Sequence, residues 1–325
     1  MPASYAYNNL MKTISNIQNQ RSISELQQIF RHFLYRLRET PFLTGWLLVG
    51  LIITFFLHSW TGLLFGLINL TLIGLYAILI RIMTPNPAAP ISIKHPRLEL
   101  ALAIGLLGLF LLTQLLDFGV WKIQPLQSWV RSFFGNLQLW IFGLEAIPDW
   151  ARQDVFIAIS STIKKLIPTL VVFWLLGYRR GMGLIPPHWK ITAVLVGIIS
   201  IFGLFTGFLL RDPPVQILGL YLIGIFVNAL PEELYFRAFL LPRLEKVLAN
   251  PLNALVISAL LFNALHIPIQ IANGASPLTA MLGVFSTAYP SGLIWGYLYL
   301  RTRSIVPGMF WHAANGNLGF LMLSL

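Results

Sequence analysis

The 325-residue sequence contains no cysteine, which excludes disulfides, thiolate metal sites and a cysteine nucleophile. Charge is also scarce, at 10% of residues against about 25% in an ordinary soluble domain. With 57% hydrophobic residues and a mean hydropathy of +0.75, the composition is that of an integral membrane protein. Acidic residues are the scarcer sign, 11 against 22 basic ones, for a formal charge of +11. The lysines and arginines fall mostly between apolar runs. They therefore read as topology determinants and contacts for anionic lipid, and no nucleic-acid partner is expected. The first 41 residues lack an apolar core followed by a cleavage site, so no secretory signal is expected. No Gly-x-Ser-x-Gly or His-Glu-x-x-His motif occurs, and no aspartate falls inside an apolar run.

What is present is a series of apolar runs near the roughly 20 residues needed to span a bilayer. Residues 1–41 read as a cytoplasmic amphipathic segment, with a capping box at Ser22–Glu25 before apolar residues at helical spacing. Residues 42–154 read as a membrane region of three spans. Phe42–Leu57 and Thr61–Met83 form a tight pair around Leu57–Trp60, Leu98–Leu116 follows, and the loop Asp117–Asp154 carries an amphipathic helix through Trp129, Phe133 and Trp140. Val155–Tyr178 has Lys164 and Lys165 mid-run, so these face a wet cavity or a shorter span begins after them. Ile191–Leu210, Val215–Leu241, Pro251–Ala272, Leu278–Leu300 and Ile305–Leu325 complete the set. The expectation is an all-α, polytopic, multi-pass transmembrane bundle of eight or nine spans. The bias of positive charge to one side puts the N-terminus in the cytoplasm.

Among the carboxylates, Glu232 and Glu233 alone lie inside a span, and of the histidines only His266 and His312 do. Intramembrane ionisable residues are costly, about 2.5–3.5 kcal/mol each on insertion scales, and mark function by default. Glu233 precedes Arg237 by four residues in the favourable acid-before-base order, so the two can neutralise each other. Glu232 points about 100° away. It is read as a free carboxylate facing a cavity, suited to general acid–base work. Gly292 and Gly296 form a small-residue motif for close helix packing.

Glu-Glu-x-x-x-Arg (Glu232, Glu233, Arg237), Phe-x-x-x-His (Phe262, His266) and a final histidine–asparagine motif follow one another in order. The pattern resembles the CPBP family, which comprises the CAAX prenyl endopeptidases and the bacteriocin-processing or Abi-type membrane proteases. The resemblance covers about 215–325, and 155–325 is expected to form the catalytic membrane domain. It implies an intramembrane endopeptidase in which Glu232 and His266 activate a water while His312 and Asn315 donate to the oxyanion. Glu233 and Arg237 would be supporting residues. The family's last motif is His-x-x-x-Asn, whereas Gly316 stands four residues after His312. The role is carried to Asn315, which shares the helical face of His312, with Asn317 as the fallback.

Two histidines and a glutamate could also hold zinc with an open fourth position, but the reading prefers a glutamate-type mechanism with no cofactor. The expected partners are the lipid bilayer and a membrane-associated protein or peptide substrate, prenylated in the CAAX-type case. Two other readings stand beside it. One is an ion-coupled transporter with a Glu/His relay, although no paired repeat with matching broken segments is found. The other is a catalytically degenerate scaffold or immunity protein, kept open by Gly316.

Overall fold

The computed structural model describes residues 35, 38–178, 183–187, 189–210, 214–288 and 290–318. The amphipathic segment expected over 1–41 lies almost wholly outside them. Every regular element among the described residues is helical. In order these are α1 (Pro41–Met83), α2 (Pro96–Asp117), α3 (Leu126–Phe142), α4 (Asp149–Leu175), α5 (Trp189–Leu210), α6 (214–248), α7 (Pro251–Ala264), α8 (Ile267–Ala272), α9 (Pro277–Gly283), α10 (Ser291–Thr302) and α11 (Val306–Leu318).

Five helices are long and apolar enough to cross a membrane: α1, α2, α4, Ile217–Leu248 of α6, and the run Pro251–Ala272 holding α7 and α8. The expected break at 57–60 falls inside α1. Ser59 adopts φ 58°, ψ −159°, a left-handed value that stops a helix of L-residues. Twelve residues of straight helix would separate Thr54 from Gly66 by roughly 18 Å. Yet a Cβ built on Gly66 would sit 3.3 Å from Thr54 Cγ2, so the two legs of α1 fold back on each other.

The expected run Leu278–Leu300 is divided. It forms α9 and α10, with the non-helical residues 284–288 and 290 between them. Irregular backbone at membrane depth is tolerated only where the protein satisfies it, and α1 does so here. Thr54 Oγ1 accepts from Thr287 N at 2.8 Å and lies 3.0 Å from both Ser286 Oγ and Thr287 Oγ1, while Asn69 Nδ2 donates to Ala288 O at 2.9 Å. Helix α10, 12 residues long, is shorter than the roughly 20 residues of a full crossing, and the described part of α11 has 13 residues. Helix α10 packs on α7, α1 and α6, and α11 packs on α5 and α6. Gly296 leaves room for Leu255 and Gly292 for Ala259, which is the packing use expected of that motif.

The centre of the bundle is α6. In its most apolar window 56% of residues are buried, against 17% for α1, so α6 is wrapped by protein where α1 is not. It is not a uniform α-helix. π-helical turns occupy Ile225–Ala229 and Leu234–Leu240, flanking Leu230–Glu233. Prolines explain part of this, because Pro231 and Pro242 each remove a backbone donor and free the carbonyl four residues earlier. Arg243 takes up the carbonyl that Pro242 frees, its Nη1 donating to Ala238 O at 3.1 Å and to Phe239 O at 3.0 Å.

The rest of the Arg243 guanidinium is fully buried against Glu99 on α2. Its Nε and Nη2 donate to Glu99 Oε2 at 3.1 and 2.9 Å. Glu99 Oε1 accepts from the Tyr178 hydroxyl at 2.9 Å and from His95 N at 3.1 Å. Burial, reinforced by the bond to Glu99, pushes the Tyr178 hydroxyl above its ordinary titration range. One ion pair therefore fastens α2 to the end of α6.

Breaking a buried pair from one side costs about 3–5 kcal/mol because a charge is left uncompensated. Arg243→Met should accordingly lower the midpoint of thermal unfolding in detergent sharply, and Glu99→Gln/Arg243→Met should recover most of the loss. Additive losses in the double variant would contradict the pairing.

Candidate functional site

The two adjacent glutamates occupy the short α-helical stretch between the two π-helical turns of α6, and they face different partners. Glu233 is completely buried. Its Oε1 lies 3.2 Å from Arg237 Nη1, one helical turn on, as the sequence spacing expects. Arg237 is held in turn by Gly292 O, which accepts from its Nη2 at 3.2 Å. The guanidinium carbon sits 4.8 Å from the Phe262 ring centroid and 5.4 Å from that of Trp295, a cation–π cradle.

His312 arrives from α11 and bridges the pair. Its Nδ1 is 3.2 Å from Glu233 Oε1, and its Nε2 is 3.7 Å from Glu232 Oε2. The indole of Trp295 stacks on the imidazole at 4.0 Å and 14°, which fixes the ring plane. Such an approach needs a small residue on α11. A Cβ at Gly308 would stand 2.9 Å from Glu233 Oε2, so any side chain there would press on the carboxylate.

Glu232 is not the free carboxylate that the helical spacing implied. Lys165, from the π-helical turn Thr162–Leu166 of α4, places its Nζ 2.5 Å from Glu232 Oε1. The reason is elementary: an ionised carboxylate in an apolar bundle draws a counter-charge from whichever helix can supply one. Lys164 is matched as well, its Nζ 2.5 Å from Asp117 Oδ2. Of the two sequence alternatives for these lysines, the shortened span does not apply, since α4 runs through both, and each meets an acid. The mid-run lysines were themselves the available signal. A partner 67 positions away leaves no mark in local spacing.

The other oxygen of Glu232, Oε2, is buried with no hydrogen-bond partner among the described residues. The 3.7 Å to His312 Nε2 exceeds a direct hydrogen bond, so an unmet acceptor faces the imidazole.

His266 follows α7 and is half-buried. Its Nδ1 lies 3.0 Å from Phe262 O. A carbonyl only accepts, so Nδ1 carries the proton and Nε2 is left with its lone pair. His266 also lines a cavity of about 380 Å³ with Phe262, Asn263, Gln270, Thr279 and His58, the last from the turn of α1. Glu232 does not line that cavity. Charge interactions nonetheless tie Glu232 to Lys165, His312 and His266 together. Phe262 forms the partition, its ring in the cavity wall and 5.7 Å from that of His312.

The structure thus brings Glu232, Glu233, Arg237 and His312 into one cluster and adds Lys165 to it. His266 stands within electrostatic reach, and Asn315 lies half-buried one turn after His312. The side chain of Asn317 lies outside the described residues. Among the described residues no three His, Asp or Glu side chains are arranged to hold a metal ion.

No curated protein and no solved structure matches the chain. The model of one protein family does match it, over residues 214–317, a segment that runs from the start of α6 into α11 and holds Glu232, Glu233, Arg237, His266 and His312. That family is described as Type II CAAX prenyl endopeptidase Rce1-like, and the resemblance read from the three motifs holds over this segment of the chain.

Proposed function

We propose that the protein is a multi-pass intramembrane endopeptidase that hydrolyses a peptide bond by a water activated at Glu232 and His266. The observation that carries this is the unmet Oε2 of Glu232. It is a buried carboxylate oxygen whose partner oxygen is fixed, set opposite His312 and near a histidine that opens on a cavity. The family match over 214–317 supports CAAX-type chemistry, in which the substrate is a membrane-associated protein or peptide bearing a prenylated C-terminus.

In this reading the water donates one proton to Glu232 Oε2 and the other, as a hydrogen bond, to His266 Nε2. Its oxygen attacks the peptide carbonyl carbon as Glu232 takes the first proton. His312 and Asn315 donate to the oxyanion that develops, a task for preorganised donors in a water-poor site. Collapse breaks the C–N bond, and the proton passes from Glu232 to the leaving amine. Glu233 and Arg237 hold His312 in place and do not exchange protons with substrate. The same reading places the catalytic membrane domain over 155–325, has the chain cross the bilayer eight or nine times, and leaves its N-terminus cytoplasmic.

The test is cleavage of synthetic peptides by the purified, reconstituted protein, with a prenylated C-terminal peptide, its unprenylated counterpart and transmembrane segments as substrates. Glu232→Gln should lower kcat by about 10²–10⁴, the range of a lost general base, with chelator making no difference to wild type. Unaltered cleavage by Glu232→Gln would sink the assignment, and proton-coupled uptake without proteolysis would favour a carrier. Asn315→Ala should lose about 10²-fold, as for one oxyanion donor, while Asn317→Ala stays near wild type; the reverse order would move the role to Asn317. Gly308→Ala removes no polar group, yet the displaced Glu233 carboxylate should lower kcat by roughly 10-fold, within the sensitivity of catalysis to ångström-scale misplacement. Full activity in Gly308→Ala would show that Glu233 need not hold its place.

A further inference from the structure

Lys165 has no part in the roles assigned above, although it makes the shortest contact to Glu232 in the structure, 2.5 Å from Nζ to Oε1. Its side chain is 12% exposed against 4% for Glu232, so the pair sits inside the bundle, where exchange with water does not screen it. The lysine is also anchored. Its neighbour Lys164 reaches in another direction, 2.5 Å from Asp117 Oδ2 at the end of α2 and 3.8 Å from the centroid of the Phe134 ring on α3. The Lys165 carbonyl accepts from Thr169 Oγ1 at 2.7 Å. The π-helical turn Thr162–Leu166 is thereby pinned between α2, α3 and α6, and π-helical turns of this kind recur at functional sites.

From this geometry we infer that Lys165 is a positioning residue for Glu232, holding Oε1 so that Oε2 is the oxygen presented to the water and to His312. The inference rests on the protease reading of the site. A glutamate has two chemically equal oxygens and several soft torsions, so something must choose between them. The charged and titratable groups that act on Glu232 are Lys165 from α4, His312 from α11, His266 after α7, and Arg237 with Glu233 on α6 itself. Arg237, paired with Glu233 on the same helix, and His312, 3.7 Å from Oε2, offer the Glu232 carboxylate competing positive partners. Lys165 is the cation on a different helix that meets Glu232 directly, and it offsets their pull. Without it the carboxylate turns toward Arg237 and His312, and Oε2 is no longer free.

The test compares wild type, Lys165→Met and Lys165→Arg in proteoliposomes, with peptide kinetics and infrared spectra of ¹³C-glutamate-labelled protein as two separate readouts. The Glu232 carboxylate band is identified as the one missing in Glu232→Gln, and thermal melting establishes that each variant is folded. The inference predicts three results. Lys165→Met shifts the Glu232 band, its kcat falls about 10²-fold with KM unchanged, as expected of a misplaced catalytic group, and Lys165→Arg restores most of the rate. An unshifted Glu232 band in Lys165→Met overturns the pairing whether or not any peptide is cut. A shifted band with kcat near wild type overturns the positioning role, as does an equal loss in Lys165→Arg. If wild type cuts none of the peptides, the protease reading has failed and the catalytic half of the inference falls with it, while the band still reports the pair.

Discussion

An ionised group inside an apolar helix bundle must find an opposite charge or hydrogen bonds enough to replace water. Among the described residues, Glu245 with Arg303, Glu99 with Arg243, Asp117 with Lys164, Glu232 with Lys165 and Glu233 with Arg237 meet that requirement. All but the last join different helices or their ends, and together they tie α2 and α4 to α6. The arrangement of the bundle around α6 follows from where these charges lie. Helix association in lipid has little hydrophobic drive of its own, so such contacts and the close approaches at small residues carry proportionately more of it.

The same constraint shapes the site. Glu233, Arg237 and His312 form a closed set, with Trp295 stacked on the histidine and Phe262 and Trp295 around the guanidinium. That set is rigid because each member has few alternatives. Glu232 stands at its edge with one oxygen committed to Lys165 and the other uncommitted among the described residues, and Phe262 separates His312 from the cavity that His266 lines. Rigid support on three sides and one unmet acceptor is what a preorganised hydrolytic site requires. The π-helical turns on either side of the glutamates, and the one that carries Lys165, rotate these side chains away from the positions a regular helix would give them.

Several of these features were legible in the sequence. The all-helical membrane class follows from composition, the turn at Ser59 from the polar Leu57–Trp60 interruption, and the Glu233–Arg237 contact from i,i+4 spacing. The convergence of His312 and Glu232 followed from the resemblance to a known family and not from periodicity. Other features were not legible. The run Leu278–Leu300 is apolar enough to read as one helix, and its division depends on hydroxyls of Ser286 and Thr287 meeting Thr54 some 230 positions earlier. The partner of Glu232 was hidden for the same reason, because Lys165 belongs to another helix and only the folded bundle brings it near. Local spacing reports contacts within an element, whereas the sequence records those between elements only as unexplained charges.

In the proposed mechanism water attacks the peptide directly under the control of Glu232, with no covalent intermediate. Cleavage of a defined peptide in ¹⁸O-labelled water, with a strong amine nucleophile added, tests that claim most directly. Direct attack by water gives a new carboxyl end that carries a single ¹⁸O atom and no transfer of the acyl group to the amine. An amide formed with the added nucleophile would reveal an acyl-enzyme and contradict it.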